Sequence, residues 1–286
     1  MLQALISGIL VGSVYGLFSM GFSLAFGVMR IVNFAHGELV MIGMFVGLVV
    51  ANNLGVDPLL AMPLAILIVG GVSAFLYLFV FQRFVGRATL QQLLAAIAVA
   101  LILQTSAALI FGPSAHAVRS NWGSQYLLLG PIFLSYAQLA AFVISLACVA
   151  AVEFVLQRTS WGKSIRAIAD DPEAAQLVGL NAHFINVSAF AGAGALAGIA
   201  GSVLVSYYPV SPHVGFALMP IALIATVLGG LGSVGGAFIG GIVCGVVQQV
   251  TSVLWTSALQ DVPLYALLIL LLAFRPYGLF GRKSAH

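Results

Sequence analysis

Long apolar runs separated by short polar breaks make up almost the whole chain, and each run is long enough to be read as a helix. Residues 2–29 form the first and stop at Arg30. A second helix, about 34–51, opens among Asn33, His36 and Glu38. It ends in a turn over 52–58, where Asn52, Asn53, Gly55 and Pro58 cluster. A third covers about 59–81, with Pro63 near its start where a missing N–H costs little, and Arg83 and Arg87 follow it. A fourth runs about 89–111. Residues 112–131 are mixed and polar, with Pro113, His116, Arg119, Asn121 and Trp122, and read as a loop. A fifth helix follows at about 132–156 and a sixth at about 185–208.

Toward the C-terminus the pattern is less regular. Residues 216–230 and 237–255 are apolar but joined by a glycine-rich run, Gly229 to Gly236, and the first is short for a full crossing. They read either as two spans or as a broken, re-entrant pair, since irregular backbone at membrane depth is tolerated only under protein cover. A last apolar run, about 262–274, stops at Arg275-Pro276. Small residues recur at helical spacing in two places: Gly8, Gly12 and Gly16, then Gly194, Gly198 and Ser202. Such faces let two helices approach closely, so these glycines are assigned to helix packing. Residues 28–47 and 227–245 each join two helices through small residues, a faint internal similarity of the kind duplicated transporters carry.

Composition narrows the class. With 62% hydrophobic and 6% charged residues, and a mean hydropathy of +1.16, the chain is not a soluble globular domain. Continuous apolar runs, rather than short alternating ones, exclude a β-barrel. The expected fold is all-α: a polytopic helical membrane protein of about 8–9 transmembrane helices, one domain over 1–286, in contact with membrane lipid. The N-terminal run lacks a basic leader and cleavage site and reads as a retained helix. Counting nine crossings puts nine of the ten Lys and Arg residues on one face, with Arg119 alone opposite, and the cation-rich face is the cytoplasmic one. Asp57 and Asp261 then lie outside. An eight-helix count would move the N-terminus inside.

Against this background the polar segment 158–184 stands out. It holds Arg158, Lys163 and Arg166, three of ten cations, and Asp170, Asp171 and Glu173, three of seven acids. Asp171 suits a helix cap, Pro172 the first helical position, Glu173 the positive dipole end, and Gly179 the stop. The predicted short helix offers Ala174, Ala175, Leu177 and Val178 to a neighbour. That neighbour is either its own bundle or a groove on another protein.

No catalytic constellation is present. The five histidines are scattered, no metal-ligand spacing occurs, and neither a cofactor nor a nucleic-acid site is indicated. Cys148 and Cys244 lie in apolar runs and read as packing residues. Gly162-Lys163-Ser164 resembles the end of a phosphate-binding loop, but Gln157 stands where its first glycine is required, so the chain is not an ATPase by that motif. Glu38 and Glu153 fall near cytoplasmic helix ends, where an interfacial position is the plain reading and a pathway role the sharper one. The mid-membrane polar residues, Gln104, Ser106, Thr226, Gln248 and Gln249, are neutral. That speaks against ion coupling and for an energy source supplied from outside the chain.

Arg166 to Asp170, Ala174 and Gly179-Leu180-Asn181 resemble the cytoplasmic loop of importer permeases driven by ATP-binding cassettes. The segment Gly27 to Glu38, containing Asn33-Phe34-Ala35-His36-Gly37-Glu38, is similar to the signature of branched-chain amino-acid importer permeases. So are the run Leu228 to Gly236 and the ending Arg275 to Gly281. The resemblance implies a multi-pass subunit of the bacterial inner membrane paired with a homologous second permease or with itself. It also implies two cytoplasmic ATPase subunits and a periplasmic substrate-binding protein. Arg166, Asp170, Asp171, Glu173, Ala174, Ala175, Leu177 and Gly179 are then the ATPase-coupling set. Asn33, His36, Glu38, Ser233, Gln248 and Gln249 are the pathway or gating candidates. The alternative is a self-sufficient carrier or channel for a small neutral solute; a membrane-embedded enzyme ranks third for want of a reacting group.

Overall fold

The computed structural model describes residues 1–118, 120, 123, 125–129, 132–256, 259–274 and 278–279. The readings made for Arg119, Asn121, Trp122 and the ending from Arg275 to Tyr277 and Phe280 onward lie outside these residues. Among the described residues the helices are α1 (Leu2–Met29), α2 (His36–Leu54), α3 (Met62–Phe79), α4 (Thr89–Phe111) and α5 (Tyr136–Arg158). They continue with α6 (Ser160–Asp170), α7 (Pro172–Leu177), α8 (Ala182–Leu204), α9 (Val214–Gly229), α10 (Val234–Leu254) and α11 (Val262–Phe274). Seven stretches are long and apolar enough to cross a membrane; α9 and α11 are apolar but shorter, so the expected eight to nine crossings hold only with these two included.

Three boundaries differ from the sequence reading. The turn expected over 52–58 begins late, because α2 continues to Leu54 and ends on Gly55 at φ 65°. Residues 132–135, expected to open the fifth helix, are instead strand β2, paired antiparallel with β1 (Tyr126–Leu129); Leu129 faces Ile132 and Tyr126 faces Ser135. Apolar β-branched and aromatic positions suit either state in so short a run, and the partner strand decides. The polar segment expected to hold one short helix holds two. In α6, Thr159 caps the N-terminus, and Ile165 and Ile168, three apart, turn inward while the charged residues stay out.

The bundle is organised around α1, whose membrane window is 89% buried, against 17% for α4 and 11% for α5. Glycine is the reason α1 can be enclosed. On Gly12 a Cβ would lie 2.7 Å from the Ile242 Cα, and on Gly8 2.7 Å from the Val246 Cα; Gly16 meets Phe238 in the same way. Backbone therefore rests on backbone along the α1–α10 seam. Across the bundle, Gly198 faces Ala65 and Val69 of α3, and Gly194 faces Val69 and Ser73, whose hydroxyl donates to the Phe190 carbonyl at 2.6 Å. Gly201 packs against Val40 and Met44, joining α8 to α2 as well.

Contacts between loops separate the two ends of the bundle. At one end Arg30 reaches the Ala169 carbonyl and Arg166 the Leu156 carbonyl. At the other, Gln3 pairs its side-chain amide with both backbone groups of Phe133, Ser120 donates to Asp57, and His116 bridges Val210.

Candidate functional site: an exposed capped helix and two buried polar groups

At the cation-rich end, α7 is built as its sequence requires. The Asp171 carboxylate accepts from the Glu173 and Ala174 amides, both at 3.0 Å, and Pro172 occupies the first position where no N–H is needed. Gly179 has φ 88°, a left-handed stop that leaves open space around it. Ala175 is buried and anchors the helix, while Ala174, Glu173 and Asp170 face outward or lie at the surface. Leu177 is 89% and Val178 79% exposed, so the apolar side of this polar-end helix is turned away from its own bundle. Helix α6 holds α7 in place, since Trp161 donates to Ser188 of α8 at 2.7 Å.

Arg166 belongs to a second feature here. With Glu153 and Ser233 it lines a cavity of about 390 Å³ between α1, α5, α6 and the start of α10. One member of the coupling set and one pathway candidate are thereby brought together. Ser233 also caps α10, accepting from the Gly236 amide at 3.2 Å.

Among the pathway candidates, Asn33 and His36 serve the turn into α2. Asn33 Oδ1 accepts from the Ala35 amide at 3.0 Å, and His36 Nε2 donates to the Phe18 carbonyl at 2.8 Å. That donation requires a proton on Nε2. It also fixes depth: Phe18 stands twelve residues and about 18 Å of helix before Arg30. The non-helical residues 30–35 carry the chain back along α1, a distance that about six near-extended residues can span. Helix α2 thus begins inside the bundle.

The interfacial position expected for Glu38 is therefore corrected. Glu38 is 2% exposed, covered by Gly215 at the start of α9, and its Oε2 has no hydrogen-bond partner. It borders a largely hydrocarbon cavity of about 200 Å³ between α2, α4, α9 and α11.

Gln248 and Gln249 separate. Adjacent helical residues point about 100° apart, and Gln248 is buried in a polar chain while Gln249 is half-buried. The Tyr15 hydroxyl donates to Gln248 Oε1 at 2.7 Å, and Gln248 Nε2 donates to Asp261 Oδ1 at 2.7 Å. Sequence reading missed Tyr15, although a lone hydroxyl in an apolar helix with a glycine face was its available signal. It left Asp261 as a plain external loop acid and took no notice of Gly215, for which no sequence signal existed. Among the described residues no cluster of three or more His, Cys, Asp or Glu could hold a metal ion.

Long apolar helices seated on glycine faces, with polar groups either buried in short networks or gathered at one end, define a multi-pass helical membrane protein of the transport type. The chain belongs to the family described as branched-chain amino acid transport system / permease component, whose model matches residues 4–272. It is thus a permease component of a transporter, not a member of an enzyme family. It is 31% identical over its whole length to the high-affinity branched-chain amino acid transport system permease protein BraD of Pseudomonas aeruginosa, covering 97% of that protein. Against the corresponding permease protein LivH of Escherichia coli K12 it is 30% identical, with the same coverage. A fructose import permease protein, FrcC of Rhizobium meliloti, is 29% identical over 55% of this chain and 45% of its own length. No solved structure matches the chain.

Proposed function

We propose that this chain is the translocation subunit of an ATP-driven importer of branched-chain or related hydrophobic amino acids. Residues 1–286 act as one transmembrane domain in a bacterial inner membrane, and 158–184 as its cytoplasmic coupling segment. Its partners are a homologous second permease, or a second copy of itself, two cytoplasmic ATPase subunits, and a periplasmic binding protein that delivers cargo.

The observation that carries this reading is the exposure of Leu177 and Val178 on a helix whose ends are fully capped. An isolated helix this short is not stable in water, so its rigid presentation of apolar side chains suits a surface on which another protein presses. Arg166, Asp170, Asp171, Glu173, Ala174, Ala175, Leu177 and Gly179 constitute that surface and its support. Movement of α7 would pass through α6 and Arg166 to the cavity shared with Ser233, and so to the α9–α10 turn as a rigid-body shift. Asn33, His36, Glu38, Ser233, Gln248 and Gln249 remain the pathway and gating set.

The deciding experiment reconstitutes the chain with the ATPase and binding protein that co-purify with it. Leucine uptake should require ATP, and Glu173→Lys or Gly179→Asp should cut uptake and ATPase stimulation while the permease stays folded in the membrane. Uptake by the purified chain alone under an ion gradient, or normal coupling in both variants, would overturn the proposal.

A further inference from the structure

Neither the coupling surface nor the Tyr15–Gln248–Asp261 chain gives Glu38 a task, although its position is the most costly of any acid described. Its side chain is 2% exposed, Oε2 has no partner, and the carboxylate borders a cavity of about 200 Å³. Apart from Gln104 and Tyr265 the other lining residues are hydrocarbon. A carboxylate so placed is unfavourable unless it is protonated or meets a cation. Its place in the first turn of α2 offsets part of that cost through the helix dipole.

The rest of the wall favours a particular cation. Pro220 lies within α9 and lines the same cavity, and it has no N–H to return to the carbonyl of Phe216, a second lining residue. One carboxylate and one carbonyl short of a donor, with hydrocarbon around them, match a group carrying several N–H donors on an apolar body. A hard metal ion would require about six oxygen ligands, far more than this wall supplies. A primary ammonium has three N–H groups, and Ile97, Leu101 and Leu223 offer aliphatic contact for a short branched chain. Gly215 lets α9 close over the carboxylate, because a Cβ there would strike Glu38.

We propose that this cavity is an intramembrane recognition site for primary aliphatic ammonium groups, with Glu38 as the residue that reads the amino group. The inference rests on the importer reading and deepens it: the α-amino group of a hydrophobic amino acid is recognised inside the permease. Gln104, whose Nε2 donates to His213 Nδ1 at 2.8 Å, is the amide on the same wall available to an α-carboxylate.

The test uses the purified full chain in lipid nanodiscs and radiolabelled isopentylamine as the probe. Binding should saturate and be displaced by leucine but not by 4-methylpentanoate, which lacks the amino group. Glu38→Gln should weaken it by about tenfold or more, the scale of one charge-assisted hydrogen bond, while Glu153→Gln leaves it unchanged. Leu101→Trp, made from an exposed position, should block the cavity without touching the acid, and decides the matter if Glu38→Gln does not fold. Non-saturable uptake into the lipid, or binding indifferent to both Glu38→Gln and Leu101→Trp, overturns the site. ATP-dependent leucine uptake alongside such indifference sinks the site alone. Glu38-dependent amine binding in a complex that does not carry leucine upholds the site and sinks the importer reading.

Discussion

Tyr15 and Gln248, 233 positions apart in sequence, meet through a 2.7 Å hydrogen bond between α1 and α10, and Asp261 extends the chain at the other face of the same amide. The bond crosses the seam on which Gly8, Gly12 and Gly16 let the two helices touch, so the polar contact depends on glycine packing. Interhelical hydrogen bonds in membranes average about 0.6 kcal/mol and reach about 1.7. A double-mutant cycle of Tyr15→Phe and Gln248→Leu, read by unfolding in mixed micelles, should give a coupling of that size. Strict additivity would show that the bond does not contribute.

The glycine seam makes a sharper stability prediction. Gly12→Ala places a Cβ against Ile242 backbone atoms at 2.7 and 2.8 Å, where no rotamer change can relieve the contact. Separation of the helices should cost about 1–3 kcal/mol. Gly71→Ala, on the exposed face of α3 with nothing within 4 Å, is the matched control and should gain up to about 1 kcal/mol in helix propensity. Paired melting curves of the two variants check both signs.

The cap of α7 can be tested apart from its docking face. Asp171→Ala removes the acceptor for two backbone amides, a loss of about 1 kcal/mol. Hydrogen exchange at Glu173 and Ala174 should quicken while the rest of the bundle keeps its protection. Leu177→Lys, at an 89% exposed position, should shift overall stability by no more than about 0.5 kcal/mol. The same variant should reduce recovery of the ATPase in pull-downs, and full recovery would count against the docking face.

What the sequence allowed to be read, and what it hid, follows from where each signal resides. The fourth helix was placed at its observed limits, Thr89–Phe111, because a long apolar run between polar breaks has only one membrane solution. The cap and stop of α7 were legible because they are local: Asp171, Pro172 and Gly179 act within one turn. The missed α6 is amphipathic through only two isoleucines, and its periodicity is hidden among charges. The burial of Glu38 was not legible, because it depends on residues 30–35 doubling back and on Gly215, far along the chain, closing over it. Local chemistry reads directly from a sequence, and a re-entry does not.

Gly215 offers the last test, on geometry alone. It packs on Glu38 so closely that a Cβ would strike Oε2 and the carboxyl carbon, and the Gly215 carbonyl sits equally close to Gly37. Gly215→Ala should therefore force the Glu38 carboxyl or the start of α9 to move, with a cost of about 1–3 kcal/mol from overpacking. Shortening the acid in the background of that variant, as Gly215→Ala with Glu38→Ala, should restore part of the loss, since the alanine at position 38 removes the atoms struck. Unfolding of the single and double variants measures the recovery. A double variant less stable than Gly215→Ala alone would show that the acid is not what the glycine accommodates.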